Sequence, residues 1–219
     1  MSRLLMIFAL SLGFVGFSTL ASAEVEVEVE FSDRVTDVLG RIDRIELRRE
    51  GYFRQYSVDL RSRLRSTQRL NNSIFSHTEW AGELLIPELE NYSLENLLRA
   101  LIVESMSRAG IEFDGTIQTQ LDLIRVKNHS LRLIANGNTY AKGRFTAIDA
   151  SGQVVRSAEI SANLVLDYTT EISYEGPDFA FYTTDPENRI GPTLAFFVKK
   201  GLSALFPGND FPRAVVIEF

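Results

Sequence analysis

The sequence predicts an α+β fold: an antiparallel β-meander with two amphipathic helices packed on one face. Three observations predict it. Residues 93–109 carry a capped aliphatic stripe at helical spacing, residues 117–166 alternate with a period of two between turn signals, and residues 192–206 repeat the helical spacing. Strands and helices segregated along a chain in this way bury one face of a sheet under helices.

The first element is a strand. Val25, Val27, Val29 and Phe31 alternate with Glu24, Glu26, Glu28 and Glu30, which is the period of a strand with one wet face. Four like charges on that face disfavour pairing with a second molecule, so an edge strand is expected. A straight strand does not converge oxygen ligands on a cation, and no metal is assigned to it.

Residues 41–69 carry nine arginines against Asp43, Glu46, Glu50 and Asp59, a local charge of +5 in an acidic protein. From Val58 the pattern alternates, with Val58, Leu60 and Leu64 opposite Asp59, Arg61, Arg63 and Arg65. Read as a strand, this lays three guanidinium groups along one face. Arginine forks match phosphate and carboxylate. Arg54, Arg61, Arg63 and Arg65 are therefore the candidate face for an anionic partner: anionic lipid, lipopolysaccharide or an acidic envelope protein. Residues 71–89, with Trp80 and Pro87, are expected to connect.

The helix over 93–109 has Ser93 as its N-cap, Glu95 in its first turn and Gly110 just past its end, each in its favoured place. Leu94, Leu97, Leu98, Leu101, Ile102 and Met106 form one stripe that suits packing on a sheet. Three long strands follow. Ile117, Thr119, Leu121 and Leu123 mark the first. Ala141, Phe145 and Ala147 line the second. Val154, Ala158, Ile160, Ala162, Leu164 and Leu166 line the third. Asn136-Gly137 signals a hairpin between the first two, and residues 149–152 a turn between the others. Residues 174–188 are expected to be a loop. Leu194, Phe197, Val198, Gly201, Leu202 and Leu205 make the second helix, stopped by Pro207-Gly208, and residues 214–219 end the chain as a strand.

Residues 1–23 stand apart from the fold. Arg3, an uncharged run over 4–17 and Ala21-Ser22-Ala23 have the order of a cleavable secretory signal. The run is too short to span a bilayer. Cleavage after Ala23 leaves a single domain over 24–219, with 22 basic and 29 acidic residues and a net charge of −7. That balance does not suit a nucleic-acid binder. The chain has no cysteine, so no disulfide supports it and no lipid follows the signal. An exported bacterial protein, periplasmic and in reach of the outer membrane, fits that combination. Glycosylation sequons at Asn71, Asn91 and Asn128 carry no meaning there.

No reaction is legible. Nucleophilic catalysis needs a nucleophile, a base and an orienting group. The two histidines, His77 and His129, stand in no such spacing, and His77 with Glu79 makes only half a metal site. No glycine cluster joins a strand to a helix as a phosphate loop does. No catalytic residue, cofactor or metal is assigned. An enzyme of unrecognised class remains an alternative, and so does a small outer-membrane β-barrel. The latter is suggested by the alternating Val215, Ile217 and terminal Phe219, although a barrel needs about eight strands of roughly ten residues.

Residues 121–126, Leu-Asp-Leu-Ile-Arg-Val, and residues 147–155, Ala-Ile-Asp-Ala-Ser-Gly-Gln-Val-Val, follow a capped helix. In this order and wording the chain resembles the YajG-like and ABC-transport auxiliary envelope lipoproteins of Gram-negative bacteria, over about half of the mature chain. The resemblance implies a non-catalytic accessory role in envelope maintenance or in lipid or protein transport. It transfers no functional residue. Those proteins carry lipid on a first mature cysteine, which this chain lacks.

Overall fold

The computed structural model describes residues 25–67, 81–125, 139–163, 167–169, 176–182 and 190–217. Strand β1 (Glu26–Phe31) leads into helix α1 (Asp33–Thr67), then a short helix α2 (Ala81–Leu85), a 3₁₀ turn (Leu89–Asn91) and helix α3 (Leu94–Arg108). The long strands β2 (Gly115–Arg125), β3 (Tyr140–Asp149) and β4 (Val154–Asn163) follow, then β5 (Asp167–Thr169), β6 (Phe179–Tyr182), helix α4 (Ile190–Leu205) and β7 (Ala214–Ile217). The α+β class and the antiparallel meander are as the sequence predicts.

The strands form two sheets, one ordered β1-β2-β3-β4 and one ordered β5-β7-β6. Strands β2, β3 and β4 pair antiparallel. Strand β1 joins β2 in parallel, with Glu26 opposite Thr116 and Phe31 opposite Leu121. A parallel pair requires a crossover, and the crossover here is α1 through α3. In the second sheet β5 and β6 both run parallel to β7, so β6, α4 and β7 make a further crossover unit.

The predicted capping of α3 holds. Ser93 Oγ accepts from the Asn96 amide at 3.2 Å, and Gly110 adopts φ of 64°, a conformation that a side chain disfavours. The β3–β4 turn is held by Asp149, whose Oδ1 accepts from the Ser151 and Gln153 amides at 2.9 and 3.0 Å, with Gly152 at φ of 81°. The Asn136-Gly137 hairpin, the two histidines and residues 1–24 lie outside the described residues.

Helix α4 is the centre of the core. Eleven of its sixteen residues are buried, among them Leu194, Phe197, Val198, Leu202 and Leu205. It packs on β3 and β4, on α3 and on β6 and β7, so apolar residues on almost every side find cover. Phe145 of β3 meets Phe197 at a centroid distance of 5.0 Å, within the range in which aromatic pairs attract. Helix α3 adds Leu97, Leu98, Leu101 and Ile102, all fully buried.

The structure differs from the sequence reading in four places. Residues 58–65, read as a strand, belong to α1. Leu39, Ile42, Glu46 and Glu50 recur at helical spacing from the first turns onward, and this longer pattern overrides the local alternation. Residues 81–85, read as connection, are helix α2. Residues 179–182, read as loop, are strand β6, which pairs with β7 along its length. Val154, read as inward, is 62% exposed. The β3–β4 register shifts between Ala147 and Ile148, so that Ala147 faces Arg156 while Ile148 faces Val154. A bulge of this kind turns side chains out of the alternation.

Gly201 is where α4 comes closest to the sheet: a Cβ there would fall among the ring atoms of Phe145. Gly201→Ala is expected to cost about 1–3 kcal/mol, as overpacked cores do. The check is the urea midpoint at unchanged m-value, and an unchanged midpoint would show that the sheet and helix have room to part.

Candidate binding surface

Two surfaces come into question: the open face of the four-stranded sheet, and the arginine-rich helix α1. The open face follows from the strand alternation. Val27, Ile117, Leu121, Phe145 and Ile160 turn inward and are buried, which sends their neighbours outward. Register then builds polar rows across the strands. Glu28, Gln118, Thr146 and Ser157 form one row, and Glu30, Gln120, Arg144 and Glu159 the next.

These rows are bonded within the sheet. Thr116 Oγ1 donates to Glu26 Oε2 at 3.2 Å, and Gln118 Nε2 donates to Glu28 and Glu30 at 3.3 Å each. Thr146 and Ser157 hydroxyls lie 3.0 Å apart, and Arg144 donates to Glu159 at 2.5 Å. The hydrogen bond from Arg144, and then its charge, hold the Glu159 carboxyl below its ordinary range. The hydroxyl of Ser151, then the amide of Gln153, do the same for Asp149 at the turn. The glutamates of β1 thus serve an edge strand, as the sequence suggests. Among the described residues no group of three His, Asp or Glu is placed to hold a metal ion.

Helix positions also protect both edges of this sheet. Arg99 Nη1 of α3 donates to the carbonyl of Val27 on β1. Lys200 Nζ of α4 donates to the carbonyl of Ser161 on β4 at 2.9 Å. Guanidinium and ammonium groups set against edge carbonyls leave fewer backbone groups for another strand.

On α1 the four candidate arginines separate. Arg54 is a structural residue, which corrects its place in the proposed anion-facing set. Its Nη2 donates to the carbonyls of Ile86 at 2.7 Å and Gly82 at 3.0 Å, and its Nη1 to that of Pro87 at 2.8 Å. Its Nε donates to Glu50 at 3.1 Å. One guanidinium therefore meets the carbonyls of Ile86 and Pro87 just past the C-terminal end of α2 and shares that of Gly82, which also accepts from the Ile86 amide at 3.1 Å. Positions 61, 63 and 65 lie on the helical backbone of α1, not on a strand. Successive helix positions are about 100° apart, so alternate residues do not share a face. Positions 61 and 65 share one side, and 63 lies well away from them.

The residues that sequence reading missed are acidic. Asp43 Oδ1 accepts from the Leu94 amide, the first of α3, at 2.8 Å. Glu46, 3% exposed, accepts from the Ile190 amide, the first of α4, at 3.3 Å, and its other oxygen faces Arg49 Nη1 at 3.4 Å. Glu50, 4% exposed, packs against Gly82, where a Cβ would overlap its carboxylate. A carboxylate at a helix N-terminus meets free amides and the positive end of the dipole. The signal was present in the spacing: positions 43, 46, 50 and 54 step by three, four and four, one face of a helix. Read as net charge, they disappeared into the arginine excess.

Burial is the main cause that raises the Asp43 pKa above its ordinary value, with the Leu94 amide opposing and the charge of Glu95 adding.

Compared with protein families, curated proteins and solved structures, the chain has no significant match to any.

The raised pKa fixes the sign of a test. A group whose pKa is higher in the folded state contributes stability that is complete at low pH and lost as pH rises through the folded value. Its charge is therefore a burden at neutral pH, while its oxygen is an asset. Asp43→Asn, which keeps the acceptor, should leave neutral-pH stability equal or higher, and Asp43→Ala should lower it by about 1 kcal/mol. Denaturant melts at pH 7 decide this, and equal losses in both variants would refute the assignment.

Proposed function

We propose that the protein is a non-catalytic accessory or binding component of the bacterial cell envelope, exported through residues 1–23, with the second half of α1 as its surface for an anionic partner. The observation that carries the reading is the course of α1, which remains helical to Thr67. Positions 53, 56, 60 and 64, held by Phe, Tyr, Leu and Leu, recur along one side of this helix. Positions 61 and 65 border that row on one flank and position 63 on the other. A row of aromatic and aliphatic positions edged by arginines is the pattern of helices that settle on anionic surfaces. The guanidinium fork supplies the match to phosphate and carboxylate.

Other features support a binding role over a chemical one. The sheet turns a polar face outward, on which the glutamates of β1 accept from Thr116 and Gln118 of β2 and Arg144 of β3 pairs with Glu159 of β4. The export signal and the absence of cysteine suit a periplasmic location, and the likeness in residues 147–155 to envelope accessory proteins agrees with it.

Flotation with vesicles tests the partner. Wild-type protein should float with vesicles rich in phosphatidylglycerol and not with phosphatidylcholine alone, and Arg61→Glu, Arg63→Glu, Arg65→Glu together should abolish flotation while circular dichroism stays unchanged. Binding of purified lipopolysaccharide or of an acidic protein without vesicle binding assigns the surface to those ligands. Flotation undiminished by the triple reversal would sink the proposal. Osmotic-shock fractionation of cells checks the location independently.

A further inference from the structure

The arginines in the first half of α1 divide by what they meet. Arg49 pairs with the buried Glu46 at 3.4 Å and Arg54 with the buried Glu50 at 3.1 Å. Arg41, Arg44 and Arg48 are exposed. They step by three and four, which sets them in one row along the helix. The row is turned away from Val35, Ile42 and Glu46, which are buried. Among the described residues none of the three makes an ion pair. Arg44 Nε donates to the Gly40 carbonyl of its own helix at 3.0 Å. Toward the start of the helix the charges of Arg34 and Asp37 offset each other, so the uncompensated stretch is 41–48.

A row of the opposite sign belongs to β1. Glu26, Glu28 and Glu30 are exposed on the open face of the sheet. They accept from Thr116 and Gln118, a hydroxyl and an amide, so among the described residues no cation offsets their charge. Like charges in a row keep a second β1 away and attract a row of the other sign. The two rows match in number and nearly in length. Arg41 to Arg48 is seven steps of about 1.5 Å, about 10 Å in all. Glu26 to Glu30 is four steps of about 3.3 Å, about 13 Å in all. Arginine and glutamate side chains are long enough to absorb the difference. The rows face apart within one molecule. Val35 and Ile42 of α1 enter the same core as Val27 and Ile117, and the glutamates stand on the other face of the sheet.

We propose that Arg41, Arg44 and Arg48 of one copy dock on Glu26, Glu28 and Glu30 of a second copy, with α1 lying across the acidic border of its neighbour's open sheet face. The contact joins two different patches. It is therefore heterologous, and it extends from molecule to molecule into a ring or an open row. It uses none of positions 61, 63 and 65 and stands whether or not these meet an anionic partner.

Sedimentation velocity of the full mature chain tests it. At about 0.1 M salt, where charges are screened beyond about 10 Å, the sedimentation coefficient should rise with protein concentration. At about 1 M, where the screening length is about 3 Å, the rise should vanish. Arg41→Gln, Arg44→Gln and Arg48→Gln together should give a monomer at both salts. So should Glu26→Gln, Glu28→Gln and Glu30→Gln together, which keep acceptors for Thr116 and Gln118. Mixed in equal amounts, the two variants should form a one-to-one complex and nothing larger, because each supplies one row and no second contact is left. Circular dichroism checks the fold of each variant. Where the glutamate set does not fold, wild-type protein takes its place, and an excess of the arginine variant should cap it at a pair. Sedimentation independent of concentration at the lower salt, or association that survives either set of substitutions, overturns the proposal.

Discussion

The burial of α4 is the constraint on which the remaining structure depends. A helix that is apolar nearly all round has no stable place at a surface, so every other layer is arranged to cover it. Strands β3 and β4 cover one side and α3 a second, while β6 and β7 close a third. Gly143 and Gly201 permit the approach. A Cβ at Gly143 would meet the backbone of Gln120 and the ring of Phe197, and one at Gly201 would meet Phe145. The four-stranded sheet can then leave its other face to water, because its apolar residues are already spent on α4 and α3.

Around this apolar centre the helix ends are joined by charge. Buried amides at a helix start need acceptors, and those of α3 and α4 find them on α1. The carbonyls that close α2 find Arg54 on the same helix face. One helix thus ties three others to the body through four side chains at a spacing of three, four and four. Truncating Asp43 or Glu46 would take from the first amide of α3 or α4 the acceptor it has on α1, the costly half of breaking a hydrogen bond.

What was legible in the sequence follows the same division. Helices α3 and α4 and strands β2 to β4 could be read because a single physical pattern governs each: an aliphatic period facing one core, with Ser93, Gly110 and Asp149 marking ends and turns. Helix α1 was misread because half of its inward face is Glu46, Glu50 and Arg54, and inward polar residues look like a wet face when their partners are far along the chain. Glu46 meets Ile190, 144 residues away. No local window contains that pairing. Strand β6 is only four residues long, and its partner lies beyond α4. The arginines of α1 were legible as a composition but not as a surface, since the difference between period 2.0 and period 3.6 decides which of them stand together.

The parallel pairing of β1 with β2 also says something about assembly. Glu26 cannot meet Thr116 until some ninety intervening residues have been made and delivered, and loop closure over such a distance is slow. A chain made from its amino end presents β1 long before its partner arrives. An aliphatic strand waiting unpaired would be a hazard to its neighbours. The glutamates at every second position of β1 keep the waiting strand soluble, and in the finished sheet the same carboxylates take hydrogen bonds from Thr116 and Gln118. One row of side chains thereby serves two stages in the life of the molecule: it shields the strand before its partner is made and ties it down once the pair has formed.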